Sequence, residues 1–344
     1  MGDALCFRSA FGGPSALAVT ASEEHADIEI VDGEVEEMNG PAGRIIVGYD
    51  GSTQAAHAVE WAAAEAARRD RPLTVFYVVD YGRFAVAGGG SIGTSWMPHL
   101  ADEPGKVLVD KGVDLARQAA SQIQVTGEVK VGRPVGALVE ASRTADLMVV
   151  GTRGFSELAN LAVGSVAASM AAHARCPVVI VRGDGTVFPG PAHPVVVGVD
   201  GSPASQAALV YAASTAKDTA APLVVVCAWN VLAEHAAWVG VDARVLIDRD
   251  DLLRAERKAA REILDAAAER VRMEYPQVSV TASLVEAAPA AALLSAGANA
   301  GLVVVGTRGH GSLMSFLLGS VSHAVVYAST RPVAVVRGEI PASA

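Results

Sequence analysis

The chain has 344 residues, 51% hydrophobic and 19% charged, a composition suited to about two soluble globular domains. Its formal net charge of −10 is uneven: residues 1–43 hold nine acids against the single base Arg8, so the remainder is near neutral. That balance argues against general nucleic-acid binding, and no apolar run approaches the roughly 18 residues of a membrane span.

Residues 1–43 are acidic and aperiodic, which predicts a disordered extension. Their weak charged leader and broken apolar stretch make a poor signal peptide, so a cytoplasmic protein is expected. Cys6, Cys176 and Cys227 lie far apart and form no metal spacing, and are read as free thiols. The eight histidines contain no His-x-x-x-His pair, so no structural metal site is expected.

From Arg44 the chain alternates strand and helix. "RIIVGY" is a short β-rich run. Ser52 can cap the helix that follows, where Ala56, Val59, Ala63 and Ala66 recur at helical spacing. "LTVFYVV" is a second strand, and the pattern predicts a helix over about 106–122. A strand near 125–131 and a short helix from Val135 come next. "DLMVVG" is the fourth strand, Gly164-Ser165 opens the last helix, and "PVVIVR" is the fifth strand.

The same text then repeats. "PVVVGVDGSPASQAALVY", from Pro194, aligns with "RIIVGYDGSTQAAHAVEW" at an offset of 150. "VVGTRG" and the fifth strand recur at an offset of 155. Ser202-Pro203 again supplies a cap followed by proline at the first helical position. The expected organisation is therefore an extension (1–43), one repeat (44–183), a Gly/Pro-rich linker (184–193), a second repeat (194–338) and a short tail (339–344). Strands of nearly continuous Val, Ile and Leu suit a parallel sheet buried on both faces. The fold class is α/β: two repeated, doubly wound, five-stranded parallel-sheet domains of Rossmann-like type, strand order 3-2-1-4-5.

In such a sheet a ligand sits beyond the carboxyl ends of the strands, where connections diverge. The repeated motifs fall there. Gly151, Arg153 and Gly154 follow strand four of the first repeat; nine residues later come Gly164, Ser165 and Val166. Gly306, Arg308 and Gly309, then Gly319, Ser320 and Val321, repeat the spacing. Glycines let main-chain N–H groups approach an anion, and Gly-Ser at a helix start adds free donors, a hydroxyl and the positive helix end. Each motif alone also suits an ordinary turn or cap; the arginines suit either charge-assisted contact or a solvated loop. Asp50 and Asp200 end the first strands and suit either a bond to a nucleoside or capping of the next helix. Gly48 and Gly198 would let a flat ring approach, and Val78 and Ala228 would offer backbone bonds to a base edge.

Together these residues resemble the universal stress protein family, in its tandem nucleotide-binding form, over about 295 of the 344 residues. The resemblance implies ATP, alone or with Mg, with adenine near Asp50 and Val78, and near Asp200 and Ala228. The phosphates would meet the glycine loops and the N–H groups of Val166 and Val321. It further implies that the fifth strands pair within the chain as an internal pseudo-dimer; further association into a homodimer stays open, as does the protein partner. The second repeat departs at Ala287 in place of Gly132 and at Gly301 in place of Asp146.

Three functions are compatible: a nucleotide-binding stress-response regulator, a slow ATP-hydrolysing enzyme, or a ligand-free scaffold. The absence of Gly-x-x-x-x-Gly-Lys-Ser/Thr excludes a Walker-type ATPase. No general base is duplicated beside the loop, since Glu157 corresponds to Ser312. The intact paired motifs count against the ligand-free scaffold.

Overall fold

Continuous apolar strands cannot leave either face in water, and the fold covers both. The computed structural model describes residues 43–80, 97–152, 163–183, 187–229, 249–309 and 318–338. The first half runs β1 (Arg44–Gly48), α1 (Thr53–Arg69), β2 (Leu73–Val79), α2 (Met97–Ala119), β3 (Val125–Val131), α3 (Pro134–Ala141), β4 (Ala145–Gly151), α4 (Ser165–His173) and β5 (Val178–Val181). The second runs β6 (Val195–Gly198), α5 (Pro203–Thr219), β7 (Leu223–Trp229), α6 (Arg249–Glu274), β8 (Val280–Glu286), α7 (Pro289–Ala296), β9 (Leu302–Gly306), α8 (Ser320–Ala328) and β10 (Val333–Val336). Arg153, Gly154, Glu157, Ser312, Cys6 and the expected disordered extension lie outside the described residues.

Within each half all strand pairs are parallel, in the order 3-2-1-4-5. The second half repeats it as β8-β7-β6-β9-β10. The halves share one ten-stranded sheet, because β5 and β10 pair antiparallel with Val179 opposite Ala334. Successive strand residues point to opposite faces. Ile45 and Val47 join the core under α1, α2, α5 and α6, whereas Ile46 joins the core under α3, α4, α7 and α8. Each fully buried Val, Leu or Ile contributes roughly 1.5–3 kcal/mol.

The seam between the halves is closed on both faces. Arg182, after β5, donates to the Val326 carbonyl of α8; Arg337, after β10, donates to the Ala172 carbonyl of α4. On the opposite face buried Glu65 accepts from Arg68 Nε at 2.9 Å and Arg69 Nε at 2.6 Å. Arg69 reaches Tyr211 Oη at 3.2 Å, and Arg68 lies 3.5 Å from Asp218. Burial alone would raise the Glu65 carboxyl pKa, but the Arg69 and Arg68 charges overcome it and hold the pKa below the ordinary value. The Trp61 and Phe188 rings stack at 6.1 Å, tying the linker to α1.

The expected helix over 106–122 begins earlier, at Met97, and carries Pro104 inside it. Proline reads as a boundary because it lacks an N–H and crowds the preceding turn. No helix among the described residues is long and apolar enough to cross a membrane.

Candidate functional site

Each half brings the turn after strand one, the end of strand four and the tip of the last helix to the carboxyl edge of its sheet. The turn is self-organised. Asp50 Oδ1 accepts from Ser52 N at 3.0 Å, and Ser52 Oγ accepts from Ala55 N at 3.2 Å. In the second half Asp200 Oδ1 accepts from Ser202 N at 2.9 Å, and Ser202 Oγ accepts from Ser205 N at 3.2 Å. One oxygen of each aspartate therefore builds the turn that positions the helix cap.

A hydrogen bond draws the helix tip onto the end of strand four. Gly164 N donates to Thr152 O at 2.6 Å, and Gly319 N donates to Thr307 O at 2.8 Å. Ser322 Oγ adds a second bond to Thr307 O at 3.0 Å. Ser202 Oγ lies 3.4 Å from Arg308 O, linking the turn to the loop. A Cβ on Gly309 would stand 2.2 Å from Asp200 Oδ2, so only glycine lets this loop rest on the aspartate. Asp200, Arg308, Gly309 and Gly319 thus converge on one crevice. Thr152 and Thr307 were not singled out from the sequence, although both repeats spell Gly-Thr-Arg-Gly.

The helix tips differ from the turns beside them. Ser52 and Ser202 cap α1 and α5 with their hydroxyls. At α4 and α8 the cap positions are Gly164 and Gly319, with no side-chain cap bond. Ser165 and Ser320 are the first helical residues and are exposed; Val166 and Val321 are half-buried. The first-turn N–H groups of a helix have no intrahelical acceptor, so these tips present donors and the positive end of the dipole to the crevice.

Strand two supplies the far wall. Tyr49 N donates to Phe76 O at 2.9 Å, the last such bond along β1. Backbone groups of a ladder alternate sides, so the groups of Val78 face the same way one step past the end of β1. Val199 N to Val226 O, also 2.9 Å, puts Ala228 in the same position. Gly48 and Gly198 have a different surrounding from the expected open approach. A Cβ on Gly198 would meet Leu293 Cδ1 at 2.9 Å, and one on Gly48 would meet Val150 at 3.5 Å and Leu138 at 3.7 Å. These glycines face the side of the sheet where α3 and α7 pack. Gly151 and Gly306 also have a packing role: a Cβ would stand 2.6 Å from Gln54 O and 2.7 Å from the Ala204 carbonyl carbon.

The model of the Universal stress protein family matches twice, at residues 41–182 and 191–337. This chain belongs to that family. Universal stress protein Rv2005c of Mycobacterium tuberculosis is 37% identical over 297 residues, covering 85% of this chain and 96% of the relative. Universal stress protein Rv2623 of the same organism is 34% identical over 305 residues, with the same coverage. Among solved structures, a universal stress protein from Archaeoglobus fulgidus aligns with 87% of this chain and all of its own, at 21% identity and a TM-score of 0.62; that likeness concerns the fold. The tandem arrangement of this universal stress protein is thus visible in its sequence, its family matches and its sheet.

Proposed function

We propose that the chain binds adenine nucleotide, ATP in the first instance, in the crevice of each half, and that occupancy regulates its conformation or its partners in a stress response. The observation that carries this reading is the pair of helix tips at Gly164-Ser165 and Gly319-Ser320, drawn to the strand ends yet without side-chain caps. A polyphosphate is the ligand such donors suit. Each exposed helix-end charge contact is worth about 0.3–1 kcal/mol, so useful affinity needs loop, tip and arginine together. Arg153 and Arg308 would add charge-assisted bonds. Asp50 and Asp200, with the backbone of Val78 and Ala228, would hold the nucleoside end. An accompanying Mg ion would ride on the phosphates, since Mg keeps several waters and needs few protein ligands.

The experiment is to denature protein purified without added nucleotide and analyse the supernatant. ATP approaching two per chain is expected. ADP with released phosphate would favour slow hydrolysis, and an empty supernatant that stays empty after incubation with ATP would favour a scaffold. Gly309→Glu pushes a charged side chain at Asp200 and should empty the second crevice with the fold kept; Gly154→Glu should do the same in the first. Full retention in both variants would refute the assignment of the loops.

A further inference from the structure

The halves differ most on the sheet face covered by α1 and α2 in the first and by α5 and α6 in the second. In the first half Tyr49 is only 3% exposed. Its ring lies against α2 at Gly112, where a Cβ would stand 2.8 Å from Tyr49 Cδ1. Tyr77 of β2 packs into the same core. The strand registers carry both repeat offsets, Leu73 opposite Val125 in one half and Leu223 opposite Val280 in the other. They put Val199 in place of Tyr49, Cys227 in place of Tyr77, and Ala267 in place of Gly112.

At this place an isopropyl group stands for the Tyr49 phenol, while Ala267, Leu209 and Gln206 are larger than Gly112, Val59 and Ala56 of the first half. A groove of about 440 Å³ lies there between α5 and α6. Val199, Leu209, Ile263, Ala266 and Ala267 line it, with Gln206 among the polar groups. Glu262 and Arg270 also line it and carry opposite charges, so the groove attracts neither anion nor cation as a whole. Its volume lies within the roughly 300–1,000 Å³ typical of small-molecule sites.

We propose that this groove binds a planar, uncharged aromatic molecule of one or two rings, which occupies in the second half the space that the Tyr49 ring fills in the first. The first half is the internal template: the same sheet and helix pair, closed by an aromatic ring that the sequence itself supplies. Its walls come from α5, α6 and the turn at Val199 and Gly201, not from the glycine loop or the helix tip.

Indole and phenol are the probes, with benzoate as the charged comparison, titrated into the full chain by calorimetry and by saturation-transfer NMR. One indole per chain is expected, with benzoate at least about tenfold weaker because its charge must leave water. Val199→Tyr should abolish indole binding while leaving the far-ultraviolet circular dichroism unchanged. Should that variant fail to fold, Leu209→Trp fills the groove from the opposite wall and makes the same prediction. No indole binding at millimolar concentration, or binding that survives a folded groove-filling variant, would overturn the proposal. Nucleotide content measured on the same samples reports separately on the crevice, so the two readings fail independently.

Discussion

The first and second halves are built to one plan at the carboxyl edge and to two plans elsewhere. At the edge, Asp50 and Asp200 make the same turn, Ser52 and Ser202 the same cap, and Gly164 and Gly319 the same tie to a threonine carbonyl. On the helix faces the match ends: Tyr49 faces Val199, Glu65 faces Thr215, and Arg68 faces Asp218 across the repeat. The last pair also meets in space at 3.5 Å, astride the seam. Two identical halves would set arginine against arginine there. The turns, caps and ties at the edge are alike in the two halves while the surfaces behind them differ, so equivalent positions complement one another across the seam.

Making the halves alike is the direct way to break this comparison. Tyr49→Val gives the first half the filling of the second and removes a buried ring from a packed interior. A loss of about 3 kcal/mol is expected in urea denaturation, against a gain of about 1 kcal/mol for Val199→Tyr. Equal and opposite effects would mean that the second half has not relaxed around Val199.

Glu65→Thr gives α1 the residue that α5 has, and leaves Arg68 and Arg69 without their shared carboxylate. Removing one member of a buried pair costs about 3–5 kcal/mol. The arginine side chains retain about a fifth of their exposure, so about 2 kcal/mol is expected. The native pair also sets an acid limit. Because the Glu65 pKa is held below its ordinary 4.5, its contribution is complete above pH 4.5 and is lost as pH falls through the lowered value. Stability of the native chain should therefore fall more steeply below pH 4.5 than that of Glu65→Thr. Parallel pH profiles would show that the cluster adds nothing to the seam.

Much of this was legible in the sequence, and the limits have physical causes. Val/Ile runs declare burial on both faces, and a repeat whose offset changes only from 150 to 155 declares equivalent topology in the two halves, while the strand order 3-2-1-4-5 came with the doubly wound fold class and not from spacing. Spacing does not say what crosses over what. Gly301, which departs from Asp146 of the first repeat, is explained by the linker: a Cβ there would stand 2.4 Å from the Pro189 backbone. Gly132 adopts φ +146° in the first half, whereas Ala287 is not among the positive-φ residues, so the chain leaves β3 and β8 by different paths. The seam charges and the Tyr49 filling were hidden for a further reason. Helical periodicity identifies an inward face but not the partner that the face meets.

The smallest expected effects test whether the constant part of the molecule is constant in energy as well as geometry. Ser52 and Ser202 each accept a backbone N–H at 3.2 Å from the residue three positions on. Replacing such a cap with alanine costs about 1 kcal/mol, while glycine costs only a few tenths. Ser52→Ala and Ser202→Ala should therefore lower stability equally, with the glycine variants close to native in the same denaturation series. Ser202 Oγ also lies 3.4 Å from Arg308 O, so its loss should loosen the glycine loop and weaken nucleotide retention in the second crevice. A matched pair of stability losses with unchanged retention would confine these hydroxyls to capping. Unequal losses would mean that the neighbouring helix faces, already different, reach through to the edge the halves share.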